Sequence, residues 1–291
     1  MKLYVEEKTI RSDYNGFSSV AKLARNANGL CSDTAELDFS RCDFFDANMA
    51  APLYVVISRL RYKQNEVKIH KLQKSIEIIL KKNQFLRCFN MEVLTDTNQT
   101  TLPFQIFNRQ AGEQFNDYLD TYMQGKGIPS MSEALTKRFR QSLFEIFLNA
   151  DIHSNSELGI FVCGQFFPKL HRLDFTIADA GVGFLKNVQR FTGCKSMNSC
   201  DAIKWALTEG NSTKTGNQPG GLGLKLIKDF IRLNKGKFQI VSRLGYYEFS
   251  SDDFFHKMDH DFPGTCVNIE INTQDTNSYR LKSELNNDNI F

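Results

Sequence analysis

From Ser132 to His153 apolar and polar positions follow a helical period. Ser132 with Leu135, Phe139 and Leu143 opens the run. At about 100° per residue, Glu145, Asn149 and His153 fall within roughly 80° of one another. Leu143, Phe144, Ile146, Phe147, Leu148 and Ile152 cover most of the remaining circumference. A helix this apolar is expected to be buried, and a buried carboxylate needs a partner. The stripe of Glu, Asn and His therefore predicts something polar facing it; a stripe left open to solvent is the plainer alternative.

Residues 173–178 alternate as a half-buried strand does and run into Asp179-Ala-Gly181-Val-Gly183. Residues 158–167 read as a partner strand, joined through Pro168-Lys-Leu-His171. Segments 237–243, 246–250 and 265–271 supply three more strands, and 224–233 a helix. A mixed sheet with helices on one face follows, an α+β arrangement. Residues 185–220 show little periodicity outside 201–207, so a long loop is expected there, of a length that usually serves function or moves.

Upstream, 35–39 reads as a strand, Arg41-Cys-Asp-Phe-Phe-Asp46 as a turn with a second edge, and Met49, Leu53, Val56, Ile57 and Leu60 as a helical face. Val67 and Ile69 mark another strand, and Ile76, Ile79 and Leu80 another helix. Strands alternating with helices imply a small α/β sheet covered by helices. Residues 1–108 thus form a first unit and 134–273 a second. Between them, 109–133 contains an aromatic-rich, helical 114–123 and the break Gly125-Lys-Gly127-Ile-Pro129. Residues 274–291 are a polar, loose tail.

Composition fits this picture. Hydrophobic residues at 41% and charged residues at 24% are those of a globular protein, and 25 phenylalanines supply bulky core volume. A formal charge of only +3 gives a nucleic-acid partner no electrostatic support. The seven cysteines (31, 42, 88, 163, 194, 200 and 266) contain no Cys-x-x-Cys pair. With no signal peptide and no apolar run of spanning length, they read as reduced thiols of a cytoplasmic protein without a membrane role. His256-x-x-x-His260 would face one metal on a helix, but no helix is indicated there, and a surface loop is the expectation.

The candidate chemistry lies in the second unit. A carboxylate at a strand end followed by two spaced glycines lets a flat ligand approach the backbone. Gly220-Gly221-Leu222-Gly223-Leu224 opens a helix, whose free amides and positive dipole end suit phosphate. Taken in order, these motifs resemble the ATP-binding domain shared by gyrase, heat-shock protein 90, histidine kinases and the mismatch-repair clamp proteins (the GHKL superfamily), over roughly residues 130–273. Asn149-Ala-x-x-His153-Ser and Glu209-Gly-Asn-Ser212-Thr213-Lys214 look most like the bacterial anti-sigma regulatory kinases of that group. The P-loop pattern is absent, and Gly221-x-Gly223 lacks the third glycine of a dinucleotide-binding turn.

The resemblance implies a two-layer α/β sandwich holding ATP and magnesium. Asp179 would accept the adenine amino group, with Gly181 and Gly183 letting the backbone pass the base. Asn149 would ligate magnesium and Glu145 would orient the attacking water as the catalytic base. His153 would contact phosphate or be structural. Ser212, Thr213 and Lys214 would belong to a lid formed by 185–220. The amides around Gly221, Leu222, Gly223 and Leu224 would cradle phosphates, and Thr265 would reach adenine through water.

The segment from Leu37 to Asp46 with the following helix resembles the domain of sulfate-transporter tails and anti-sigma-factor antagonists (the STAS family). Where that family carries Asp-Ser-Ser-Gly, this chain has Asp46-Ala47-Asn48-Met49, so Asn48 stands at the phosphoacceptor place. A docking or dimerisation module is the expectation. The two resemblances together imply a regulatory protein with a protein partner, a homodimer being one form of it. Its chemistry would be that of a serine/threonine protein kinase or weak ATPase, and the alternative is a non-catalytic switch whose partner reads nucleotide state. A histidine autokinase is disfavoured because no histidine precedes the ATP domain in a dimerising hairpin. A strand-passage or clamp enzyme is disfavoured because no transducer domain follows residue 273.

Overall fold

The computed structural model describes residues 1–153, 157–211 and 222–284, with only the backbone of His153 and Leu222. In chain order the elements are β1 (Lys2–Tyr4), β2 (Thr9–Ile10), α1 (Tyr14–Asn26), β3 (Thr34–Asp38), β4 (Phe44–Phe45), α2 (Ala50–Tyr62), β5 (Glu66–His70) and α3 (Lys74–Lys82). There follow β6 (Thr101–Phe107), α4 (Gly112–Tyr122), α5 (Glu133–His153), β7 (Ile160–Phe167), β8 (Arg172–Asp179), α6 (Gly183–Thr192), α7 (Ser199–Leu207), α8 (Leu222–Asn234), β9 (Lys237–Phe249) and β10 (Asp253–Asn272). None of the described helices is long and apolar enough to cross a membrane.

The chain is a mixed α/β protein with two main sheets. One is three-stranded and parallel, in the order β1-β3-β5, beside a parallel β2–β4 pair. The other is five-stranded, in the order β6-β7-β8-β10-β9, and antiparallel throughout. The expected mixed sheet is corrected here. β7 and β8 are joined by the short 3-10 turn Pro168–Leu170, and β9 leads almost directly into β10, connections that only antiparallel neighbours accept. β6, although it lies within residues 1–108, pairs with β7 and is an edge of this second sheet.

Both faces of the five-stranded sheet are covered, so its central strands are apolar in both phases. Ile160, Val162, Leu173, Phe175, Ile177 and Ile269 pack with Leu143, Ile146 and Phe147 of α5 and with Ile227, Phe230 and Ile231 of α8. Phe115 of α4 stacks on Phe147 with ring centroids 4.2 Å apart. The opposite phase (Phe161, Cys163, Ala178, Val241, Tyr246 and Cys266) shares one core with Phe17 of α1 and Leu53, Val56 and Ile57 of α2. The N-terminal unit is thus the second cover of the sheet.

Several expectations change with the coordinates. Residues 237–243 and 246–250 are one strand, β9, irregular at Arg243, whose φ of 56° lies in the left-handed region. The strand expected at 265–271 is the end of the longer β10, which also takes in His256 and His260. No surface loop carries these histidines. His256 pairs with Tyr246 of β9, and His260 lies in the irregular stretch between Lys257 and Phe262 where the register of the two strands shifts. The stretch 185–220, expected as a loop, contains most of α6 and all of α7. Phe184, Leu185, Val188 and Phe191 carry a helical period that a leading glycine and polar neighbours obscure. α5 is also not buried all round, since Ile152 is 53% exposed.

A buried polar layer joins the N-terminal unit to the sheet. Asn48, in the 3-10 turn Ala47–Met49 before α2, is fully buried. Its Nδ2 lies 2.8 Å from Ser12 Oγ, 3.1 Å from Thr176 Oγ1 and 3.1 Å from Asn268 Oδ1. Beside it Arg172 donates to both oxygens of Asp46 at 3.2 Å and stands 3.5 Å from Glu270. Its Nε is 3.3 Å from Asp174 but misaligned for a hydrogen bond. Gln239 donates to Ser12 O and to Glu248. The phosphoacceptor place of the resembled family is therefore inside the protein, in the seam between unit and sheet.

Candidate functional site

Asn149 of the polar stripe of α5 faces the end of β8 across a small cavity. Ile146, Asn149 and Ala150 line it from α5, Ile177 and Asp179 from β8, Gly183, Phe184 and Asn187 from α6, Leu224 from α8, and Thr265 and Val267 from β10. Asn149, Asp179, Gly183, Leu224 and Thr265 are thus brought to one cavity from five elements. The remaining lining follows the same periods: Ile146 and Ala150 share the helical face of Asn149, while Ile177 and Val267 lie two positions from Asp179 and Thr265.

Asp179 is 4% exposed. Its Oδ1 accepts the Gly181 amide at 2.7 Å, fastening the turn after β8, and the Thr265 amide also donates to the carboxyl. Burial raises its pKa to about 7 against the lowering effect of these amides and of the Arg59 charge. A carboxylate has about four acceptor positions, so the two amides leave capacity for a ligand amino group. Thr265 Oγ1 lies 3.2 Å from Ser242 Oγ, which accepts the Phe184 amide at 2.9 Å. The backbone of β10 passes so close that a Cβ on Gly264 would sit 1.9 Å from Asp179 O.

Gly183 has a second reason to be glycine besides its place in the lining. Its φ is +78°, and a Cβ there would stand 2.6 Å from Arg243 Cγ and 2.8 Å from Ser242 Oγ. The left-handed backbone alone disfavours any L side chain by about 1–2 kcal/mol. Gly183→Ala should therefore lower stability by at least that much, with α6 displaced from β9. Unfolding at the wild-type denaturant midpoint would count against this.

Glu145 and Gly223 lie just outside the lining. A Cβ on Gly223 would approach Glu145 Oε2 to 2.6 Å, so the carboxylate rests against the first turn of α8. Helix N-termini attract negative charge. Gly181 borders a neighbouring cleft with Arg59 and Arg243. Leu222 is the first residue of α8 and His153 the last of α5. Ser212, Thr213, Lys214 and Gly221 lie outside the described residues, and with them the end of the expected lid from 212 to 220.

Among the described residues no group of three His, Cys, Asp or Glu could hold a metal ion. The donors present are the Asn149 amide and the nearby Glu145 carboxylate. That set suits a magnesium ion carried mainly by phosphate oxygens and water, and the buried carboxyl in a largely apolar cavity suits an aromatic base. ATP with magnesium is compatible with these residues. Sequence reasoning assigned no role to Arg59, whose Nη2 donates to Ala180 O at 2.8 Å and Gly181 O at 3.3 Å. A single basic residue on a helix carries no signal of such a contact. In comparisons with known proteins, no family model and no curated protein matches this chain.

Proposed function

We propose that the chain binds ATP with magnesium in the cavity between α5, β8 and α8, as a cytoplasmic nucleotide-dependent regulator of another protein. The observation that carries the reading is Asp179: a buried carboxyl on the wall of a cavity to which the predicted asparagine, threonine and glycine also contribute. Asp179 accepts the amino group of the base, and Ile177, Val267 and Ile146 provide apolar contact for its ring. The Asn149 amide oxygen faces the metal. Phosphates lie by the first turn of α8. The Asn149 contact to the metal gives binding its magnesium dependence, and the Glu145 carboxylate, beside that turn, is placed to orient water.

Two uses of the site follow from the sequence: phosphoryl transfer or hydrolysis, as in an anti-sigma-type serine/threonine kinase or weak ATPase, and a switch without chemistry. Phosphoryl transfer needs little beyond positioning and charge neutralisation. The burial of Asn48 favours a target outside residues 1–108, or the switch, because that position offers neither a hydroxyl nor access.

Three proteins test the proposal together. Glu145→Ala should keep ATP affinity while removing hydrolysis, and Asn149→Ala should abolish the magnesium dependence of binding. Calorimetry with and without magnesium, followed by release of labelled terminal phosphate, reads both. A wild-type chain that binds no ATP sinks the function, and equal loss of binding in both variants reduces the stripe to a structural feature.

A further inference from the structure

The turn carrying Asp179, Ala180, Gly181 and Gly183 is held from outside its own sheet. Arg59 lies in the last turn of α2, in the N-terminal unit, and donates to the carbonyls of Ala180 and Gly181. Both bonds come from Nη2, while Nε is buried without an acceptor among the described residues. Carbonyls at the end of a strand have no ladder partner of their own, and one nitrogen bridging two of them fixes the turn.

The reach of this contact is set by the two ends of α2. Asn48, just before α2, hydrogen-bonds Thr176 and Asn268, while Arg59 at the other end meets Ala180 and Gly181. From Asn48 to Arg59 the helix rises about 16 Å at about 1.5 Å per residue. From Thr176 to the end of β8 at Asp179 the strand advances about 10 Å at about 3.3 Å per residue, and the turn through Ala180 and Gly181 carries the chain on to the far end of α2. α2 therefore lies along β8 as a strut tied at both ends. The end that touches the turn cannot shift unless the buried end shifts with it.

We propose that Arg59 is a positioning residue of the nucleotide site, supplied by the N-terminal unit, which holds the Asp179–Gly183 turn in the form that receives the base. This rests on the ATP reading above. A second effect accompanies the geometric one: the Arg59 charge favours the ionised, accepting form of Asp179. The other titratable or charged groups around the pair are Cys266 on β10, whose thiol is held neutral by burial, Arg243 of β9, Asp261 of β10 and Lys186 of α6. None of these replaces a cation touching the turn: Arg243 is paired with Asp261, and Lys186 borders the cleft beyond it.

The test compares the full-length wild-type chain with Arg59→Ala and Arg59→Lys. Thermal unfolding, carboxyl NMR titration of Asp179 without nucleotide, and calorimetry with ATP and magnesium between pH 6 and 9 are measured on each. Arg59→Ala should lose roughly tenfold in affinity at neutral pH, as expected for losing about one net hydrogen bond. Its Asp179 should titrate at higher pH, and the pH midpoint of binding should move up with it. Arg59→Lys should restore the midpoint but not the full affinity, because the shorter side chain does not carry its ammonium to the place of Nη2 between the two carbonyls. If Arg59→Ala does not fold, Arg59→Lys decides: wild-type affinity and midpoint together would overturn the proposal. A folded Arg59→Ala with unchanged affinity and unchanged Asp179 titration overturns it as well, leaving the ATP site intact. A wild-type chain that binds no ATP removes the functional reading and this inference with it.

Discussion

Arg172→Met should destabilise the protein by about 3–5 kcal/mol, the loss typical of removing one partner from a buried ion cluster. Arg172 is the cation shared by Asp46, Asp174 and Glu270, and both aspartates are fully buried. Burial holds the pKa of Asp46 above its usual range and that of Asp174 well above it, against the pull of Arg172. An acid whose folded pKa is raised contributes stability that is complete below its unfolded pKa and is lost as pH rises through the folded one. Without the guanidinium both folded values rise further, so the variant should suffer least in acid and most at alkaline pH. Urea unfolding at pH 5 and pH 8 checks this, and a loss that is small or equal at the two pH values would show that Lys237 and Arg11, whose charges also act on Asp174 and Asp46, take over from Arg172.

The same cluster shows where the sequence was legible. The alternation in residues 173–178 predicts β8, and the stripe on residues 145–153 predicts that α5 faces something polar. Both patterns are local, because a strand or helix with one polar edge writes its period into a few neighbouring residues. The motif Asp46-Ala-Asn48-Met49 marked a site that departs from a family pattern, but not that Thr176 and Asn268 surround it, since contacts between residues more than a hundred positions apart leave no period. β6 was not read as a strand, and its place in the five-stranded sheet has the same cause: its hydrogen-bond partner β7 lies some fifty residues away, beyond two helices. α6 is different. Its period was present and was hidden by Gly183 at its start, a residue dictated by β9 and not by helix propensity.

Asp179→Asn should weaken ATP binding by about 1.5–3 kcal/mol at pH 8, the contribution of a hydrogen bond to a charged group, or roughly 10- to 150-fold in affinity. The effect should depend on pH. Wild-type affinity should decline as pH falls through about 7, where the carboxyl takes up its proton, while the asparagine form should stay flat. Stability should move the other way. In the wild-type apo protein the stability attached to a neutral Asp179 is complete below about pH 4, near the unfolded pKa, and is lost as pH rises through about 7. The variant has no buried charge to form, so at pH 8 it should be the more stable protein and the weaker binder, the usual relation between a functional group and its scaffold. Unchanged affinity at pH 8 would remove Asp179 from the adenine pocket. Equal stability at pH 8 would mean the carboxyl is solvated in the free protein.

The single core that the N-terminal unit shares with the sheet bears on the order of events during synthesis. α1 and α2 leave the ribosome early, yet their apolar faces are closed by Phe161, Cys163, Ala178, Val241, Tyr246 and Cys266. At about 5–20 residues per second, translation from residue 108 to residue 266 takes roughly 8–30 s. Through that interval the nascent unit carries an uncovered apolar surface, the kind that chaperones hold. The pairing of β8 with β10 joins strands about ninety residues apart, and long-range pairing of that sort is slow. Vectorial synthesis thus gives the N-terminal unit no stage at which it is both complete and alone.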